Sequence, residues 1–416
     1  MTAPREYPKR VDVAIVGAGI VGGACFHEIA RERGLTVACF EAAHKLYGST
    51  ARSAATFRHQ FSAEVNVRMS LLAGLRYGRF PEEMGAPPVI RRNGYLFIYR
   101  DAAALDAAAE RARFQTSLGV PDVEVLGAAE TLRRVPELAP DGLAGATFCR
   151  HDGFVLPDLI TSTYFERGKE LGGLLFQWSP VTAIRTGADG AVRAIVVRGE
   201  HEIETRAVVN CAGPWANKIA RLAGVEVPVV PVKRYLYFTS QLDPKRRDVR
   251  GFPLLVFDLE AYCRPEANGL MLGWDRRPEK PAGWDRFPPP PVDFAHLTDD
   301  IEPGFGLEID GYGYEVLAEI AEDLPFVAEE VGLEAVTCGY YEVTPDEKAI
   351  VDEDPRVRGL FHAAGFSGHG VMHAPATGAV VRDLVLGASP PFDVRGLRLE
   401  PLLRNEARED PEQLVI

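Results

Sequence analysis

Val13-Ala14-Ile15-Val16-Gly17-Ala18-Gly19-Ile20-Val21-Gly22 is the stretch whose reading decides the fold. Residues Val11 to Val16 are largely β-branched and read as a buried strand. The chain then passes through glycines spaced GxGxxG into Ile20–Arg33, whose apolar spacing is helical. A second strand follows at Thr36–Phe40, closing a β-α-β unit within about 30 residues, as a dinucleotide fold requires. Gly17 permits the tight turn, Gly19 lets the backbone approach a pyrophosphate, and Gly22 allows close helix packing, with Ala18 and Ile20 between them. The helix start offers free N–H groups and a partial positive charge to phosphates. Glu41 lies 19 residues after Gly22, at the end of the second strand. An acidic side chain there accepts hydrogen bonds from ribose hydroxyls; the plainer alternative is an exposed strand-end charge.

Working outward, Gly48-Ser49-Thr50-Ala51-Arg52-Ser53 is a polar loop with small hydroxyl side chains and one Arg. Such a loop suits the pyrophosphate of a deeply buried, permanently held cofactor. NAD, which must leave in each cycle, has less need of it, so the residues favour FAD over NAD.

The 416 residues carry a prior of two or three domains. Apolar residues make up 46% and charged residues 25%, enough for a sizeable buried core. The net charge of -13 argues against general nucleic-acid or anionic-membrane binding, which needs basic patches. It leaves an anionic substrate open, because one buried Arg acts locally. No run reaches the roughly 18 apolar residues of a membrane span. Met1–Arg10 is polar, without the apolar core of a secretory leader, and a cytoplasmic protein is expected. The six cysteines form no CxxC pair and are expected to be reduced core thiols, with no metal site.

Further helices are expected at Leu71–Phe80, Ala102–Leu118, Leu159–Leu171 and about Met372–Leu386. Strands are expected at Tyr95–Tyr99, Leu174–Trp178, Val192–Arg198, Ala207–Asn210, Tyr235–Thr239, Leu254–Asp258, Leu270–Gly273, Val336–Val343 and Leu360–Ala364. The Ala-rich helix reads as a surface element. The Pro-rich stretch Arg277–Val292 reads as an irregular connector, or else a lid. Nucleotide-type segments lie at the start, middle and end, with β-rich segments between, which implies two interleaved domains.

Several stretches then carry a resemblance: GAGIVG (17–22), FEAAHKLYGSTARSAATFRHQFS (40–62), DGFVLPDLI (152–160), VVNCAGPWA (208–216), YYEVTPDEKAIVD (340–352) and AAGFSGHGVMHAPATG (363–378). In this order the chain resembles the D-amino-acid oxidase-like flavoproteins, closest to the sarcosine oxidase, dimethylglycine dehydrogenase and proline dehydrogenase β-subunit branch. The resemblance implies an α/β (α+β overall) architecture of the glutathione-reductase type. A Rossmann-like FAD domain (1–85, 150–225, 330–395) is interleaved with a β-rich substrate domain (86–149, 226–329). It implies FAD contacts from Glu41, from Ser49, Thr50, Arg52, Ser53 and Ala54, from Val181, from Ala212, Gly213 and Trp215, and from Gly339. It also places Gly365, Ser367, Gly368, His369, Gly370, Val371 and Met372 under the flavin pyrimidine. A Gly-rich loop opening a helix supplies backbone donors there, where reduced flavin carries negative charge.

The same resemblance makes Arg58 the residue that grips a substrate carboxylate, which its fork geometry suits. The competing role is an ion pair with Glu64. Two departures stand out. Met372 occupies the place of the family's second carboxylate holder, a Lys, leaving His373, Tyr262 and Tyr341 as alternatives. Met271 occupies the place of the Lys that activates oxygen in the oxidases, so a dehydrogenase is expected. Where some relatives attach FAD through a Cys, this chain has Gly339, with Cys338 one residue off and hence on the opposite strand face, so non-covalent FAD is expected. His151 resembles a position that carries a second flavin, FMN, in heterotetrameric relatives; a surface histidine is the plainer account. His59 and His369 are candidates to tune amine or flavin protonation.

The expected reaction is hydride transfer from the α-carbon of a small amino acid or N-methyl amino acid to flavin N5, leaving an imine that water hydrolyses. The cofactor carries the chemistry while protein orients and tunes it. Other readings are a 2-hydroxy-acid dehydrogenase, a non-catalytic flavoprotein assembly factor, and a subunit of a hetero-oligomeric dehydrogenase. The electron acceptor stays open, as do a homo-oligomer and a partner subunit.

Overall fold

The nucleotide half grows from β1 (Val13–Val16) and β2 (Val37–Phe40), parallel neighbours joined by helix α1 (Ile20–Ala30). In the computed structural model, which describes residues 6–274, 304–305 and 307–414, they lie in a six-stranded sheet. Its order is Ile350–Glu353, Leu360–Ala364, β3 (Ala207–Asn210), β1, β2 and Leu174–Phe176. All its pairs are parallel except the one at the Ile350–Glu353 edge. Parallel strands need both faces covered. Accordingly β1, β2 and β3 are buried at every residue. One face packs under α1, which meets the final long helix Gly370–Leu386 and the helix Pro157–Glu170. The antiparallel strands Val181–Thr186, Val192–Val197 and His201–Glu204 form a separate small sheet.

The second half is a nine-stranded sheet. Its order is Gly304–Phe305, β5 (Leu333–Val343), β4 (Val230–Thr239), Gly269–Trp274, Ala261–Glu266, Leu254–Phe257, Tyr95–Tyr99, Gly145–Cys149 and Val123–Gly127. β5 thus belongs to this sheet although it lies within the segment 330–395 assigned from sequence to the FAD domain. β4 and β5 pair antiparallel, Val230 opposite Val343 and Arg234 opposite Gly339. That register brings Gly339–Glu342 to the seam where the large sheet faces the GxGxxG turn.

Most expected elements are present. Tyr95–Tyr99, Ala207–Asn210 and Leu360–Ala364 match residue for residue. Helix α2 runs Glu64–Gly78, beginning seven residues before the expected Leu71. The Ala102–Ser117 helix buries only Ala108, Ala112 and Gln115, as a surface helix does. All six cysteines are buried, and none is in a disulfide. The Pro-rich stretch 277–292 lies outside the described residues. Among the described residues no helix is long and apolar enough to cross a membrane.

A dinucleotide cavity and its aromatic annex

The turn between β1 and α1 is shaped by contact, not by composition alone. Gly17 sits at φ +109°, where a Cβ would come within 2.4 Å of the Cys211 carbonyl oxygen at the end of β3. A Cβ on Gly22 would lie 2.0 Å from the Gly17 carbonyl oxygen, so α1 seats directly on the turn. The first turn of α1 has no side-chain cap of its own and no acidic residue. Its positive end is left to whatever the turn binds. Thr50 reaches in from the polar loop, its Oγ1 accepting from Ile20 N–H at 3.1 Å. Glu41 is anchored by backbone N–H groups of Ala18 (2.7 Å) and Ala43 (2.9 Å), which fixes its carboxylate at the strand end.

These groups wall a cavity of about 570 Å³. It runs from Glu41, Trp178 and Val181 past Gly17–Val21, Ser49–Ala54 and Ala212–Trp215 to Gly339–Glu342, Gly368, Gly370 and Val371. Its length and its row of backbone donors and glycines fit a dinucleotide. Of the expected cofactor residues, Gly22, Gly365 and Ser367 do not touch this cavity. Gly22 packs the helix, as above. Gly365 and Ser367 shape the loop behind the wall: the Gly365 N–H donates to Glu342 Oε2 at 3.0 Å, and the Ser367 N–H donates to the Glu342 carbonyl at 3.0 Å. His369 and Met372 line only the neighbouring cavity. Ser49 ties the polar loop to the seam, its hydroxyl donating to the Tyr340 carbonyl at 2.6 Å. Gly339 lines the cavity, while the neighbouring Cys338 is fully buried and does not line it.

Sequence reasoning missed Tyr47, Trp178, Lys218, Arg234 and Glu342, all of which line the cavity. Glu342 carried a signal: an ionisable residue inside the apolar run of YYEVTPD. Burial pushes its carboxyl up to about 7, against the backbone donors of Gly365 and Phe366.

A second, small cavity of about 30 Å³ opens beside the first. Ser53, Ala54, Ala55, Thr56, Tyr95, Tyr262, Tyr341, Gly368, His369, Val371 and Met372 line it, and six of these also line the larger one. Three tyrosines therefore frame it. Burial raises the Tyr95 phenol well above its ordinary value, so this hydroxyl stays neutral.

Besides Gly22, Gly365 and Ser367, the expected site residues Arg58, His59 and Met271 reach neither cavity. Arg58 is fully buried behind the annex. Its Nη2 donates to the Leu414 carbonyl and, at 3.0 Å, to His369 Nε2. An arginine has no lone pair to accept with, so His369 must be the acceptor there and carries its ring proton on Nδ1. The guanidinium also lies 4.4 Å from the Phe61 ring centroid and 5.9 Å from that of Tyr95. The ion pair weighed against its substrate role is absent, because Glu64 pairs with Arg68 at 3.0 Å. His59 points away from the annex: its Nδ1 meets Asp152 Oδ1 at 2.7 Å, and its Nε2 packs on Gly74 of α2. Asp152 also accepts from His59 N–H and Gln60, so the group is a buried hydrogen-bonded knot. Met271 is fully buried, opposite Phe238 of β4, in the core of the large sheet. His373 lies behind Phe61, its pKa lowered to about 3 by burial and by Arg58. His151, at the surface, contacts Asp122 at 3.2 Å.

Comparison with known proteins accords with this geometry. Mitochondrial sarcosine dehydrogenase of Homo sapiens is 28% identical over 400 residues, covering 94% of this chain and 41% of that protein. Mitochondrial dimethylglycine dehydrogenase of Mus musculus is 24% identical over 405 residues, covering 96% and 45%. The chain thus spans less than half the length of these relatives. The crystal structure of L-proline dehydrogenase from P. horikoshii shares the fold, with TM-score 0.83 over 97% of this chain and 100% of that one, at 24% identity. The model of the FAD dependent oxidoreductase family matches residues 12–384, across both sheets and every wall of the two cavities, and the chain belongs to that family.

Proposed function

We propose that the chain oxidises the carbon–nitrogen bond of a small amino acid or N-methyl amino acid, with FAD held non-covalently in the larger cavity. The observation that carries this reading is the annex, whose wall is shared with the end of the cavity remote from Glu41. FAD bound there supplies the two-electron acceptor. The chain's own residues do the rest. Tyr95, Tyr262 and Tyr341 present ring faces and hydroxyls to a small amine and keep bulk water out. His369, with its tautomer set by Arg58, offers an imidazole on the same wall. Met372 replaces a cation with an apolar side chain, so the annex suits a compact substrate. Arg58 acts from behind His369 and Tyr95, and a carboxylate reaches it directly only when the Leu414 carbonyl moves away.

The dehydrogenase arm rests on charge. Among the described residues no Lys or Arg lines the annex, so no cation there meets developing superoxide directly. The names of the sarcosine and dimethylglycine dehydrogenases support both the chemistry and this arm.

The test is anaerobic mixing of the yellow protein with sarcosine, dimethylglycine, L-proline, both enantiomers of common amino acids, and 2-hydroxy acids, followed by air. Bleaching of flavin absorbance by an amine supports the reading. Bleaching by 2-hydroxy acids alone, or by none of the panel, overturns it. Rapid return of colour in air overturns the dehydrogenase arm. Flavin that stays with acid-precipitated protein overturns non-covalent attachment.

A further inference from the structure

Glu342 stands on the wall of the dinucleotide cavity with no ion-pair partner among the described residues. It lies near the end of β5, opposite Pro231 of β4. Its Oε2 accepts from Gly365 N–H at 3.0 Å, and a Cβ on Gly213 would sit 3.9 Å from the same oxygen. The carboxyl is thus wedged between the loop 365–368 and the turn that follows β3. The titratable and charged groups around it are few. Cys211 at the end of β3 is a buried thiol, pushed up mainly by desolvation and also by the charge of Glu342. Tyr340 and Tyr341 flank it on its own strand. Arg52, Lys218 and Arg234 line the same cavity. Arg52 is turned to the Tyr47 and Gly48 carbonyls, and Arg234 lies over the Tyr341 ring, 5.3 Å from its centroid. The other acid of the cavity, Glu41, is held by two backbone N–H groups.

A pyrophosphate is a dianion. Placing it in a cavity that already holds two carboxyls raises their energy when charged, and the cofactor also strips water from Glu342. Glu41 keeps its two backbone donors within a hydrogen-bonded corner. Glu342 relieves the repulsion most simply by taking a proton, which also turns an acceptor-only group into a hydrogen-bond donor.

We propose that Glu342 is the proton-taking member of the FAD site: cofactor binding holds it as a neutral carboxylic acid, so FAD retention weakens as pH rises above neutrality. The inference rests on FAD as the cofactor. Its sign follows from linkage. Without the cofactor, burial alone already pushes the carboxyl up to about 7. Below that pH it is neutral before and after binding, and affinity does not change with pH. Above it, each FAD bound takes up one proton, and affinity falls by up to about tenfold per pH unit.

The experiment dilutes the holoprotein across about pH 6 to 8.5, where FAD itself does not titrate, and reads released FAD by its fluorescence. The expected dissociation constant is flat on the acid side and rises above neutrality. Glu342→Gln, and Glu342→Thr as a second neutral replacement, are expected to flatten the profile. Lys218→Met is expected to keep the wild-type slope. A flat wild-type profile overturns the proposal without any variant, and so does a slope that survives in either Glu342 variant. A protein that holds no FAD at any pH overturns the cofactor reading together with this inference. Bound FAD with a flat profile overturns the inference alone.

Discussion

The dinucleotide cavity and the annex meet at Tyr341 and Gly368, yet they are built by different means. The larger wall carries three backbone turns, at Gly17–Ile20, at Ala212–Gly213 and at Gly368 and Gly370, among side chains such as Tyr47, Trp178 and Trp215. The annex wall brings together the side chains of Tyr95, Tyr262, Tyr341 and Met372 from four stretches distant in sequence. A wall of backbone donors recognises phosphate and ribose, which every FAD presents alike. A wall of side chains can be altered one residue at a time, which is where a family changes its substrate. The first kind of wall should therefore tolerate no added atom, and the second should respond by degrees.

The sharpest way to break this contrast is to add one carbon to the backbone wall. Gly17→Ala places a methyl group 2.4 Å from the Cys211 carbonyl at a φ of +109°. The strained backbone alone costs about 1–3 kcal/mol, and the clash must also move β3 or α1. Purified protein is expected to lose bound FAD by at least about a hundredfold in affinity, read from the ratio of flavin to protein absorbance. Retention of FAD at wild-type affinity would mean that the turn does not approach the cofactor.

Arg58 tests the annex from behind. Arg58→Ala removes the donor to His369 Nε2 and to the Leu414 carbonyl, leaving buried acceptors unsatisfied at about 1–3 kcal/mol. A lower melting temperature is expected, with FAD retained. Because Arg58 lies behind the wall, kcat/KM should fall by about tenfold for amine substrates with and without a carboxylate alike. A loss confined to carboxylate substrates would instead show that the Leu414 carbonyl yields its place and that Arg58 grips the substrate.

At the shared wall the effect should be smaller and graded. Gly368 has φ +91°, and a Cβ there would meet the Tyr341 ring at 2.5 Å. Gly368→Ala should displace that ring, raising KM by about tenfold while FAD stays bound. A change in FAD affinity as large as that of Gly17→Ala would erase the distinction between the two walls.

The same contrast explains what was legible in the sequence. The GxGxxG turn, Glu41 and the polar loop are constrained locally, by φ angles and by contacts one turn away, so residue type reveals them. Other elements depend on partners far along the chain. The start of α2 is hidden because Asn66 and Ser70 interrupt its apolar pattern, and the partner that satisfies the buried Asn66 amide, Glu412 at 2.9 Å, lies far along the chain. Gly145–Cys149 is hard to read because Gly, Ala and Cys carry little of the β-branched and aromatic signal that marks Tyr95–Tyr99, a strand just as fully buried. Tyr95 was read correctly as strand, but its place in the annex depends on the nine-stranded order that sets Leu254–Phe257 beside it. Arg58 was singled out by resemblance, while its actual partners, His369 and Leu414, lie more than 300 residues away.

The smallest expected effect concerns stability and separates the two long helices beneath the cavities. His373, on the Gly370–Leu386 helix, is held at about 3 by burial and then by the Arg58 charge, against 6.5 for an ordinary histidine. Its Nε2 has no hydrogen-bond partner among the described residues. The unfolded chain binds a proton there that the folded chain refuses, so the contribution is fully present above about pH 6.5 and is lost as pH falls toward 3. His27, on α1, is held at about 4 by burial, with Glu28 opposing, and acts with the same sign over a narrower window. His373→Gln should therefore reduce the drop in melting temperature between neutral and acid pH, and His27→Gln should reduce it less. Equal acid sensitivity in wild type and His373→Gln would mean that water reaches His373 past Phe61, and that the region behind the annex is not the closed layer on which the placement of Arg58 depends.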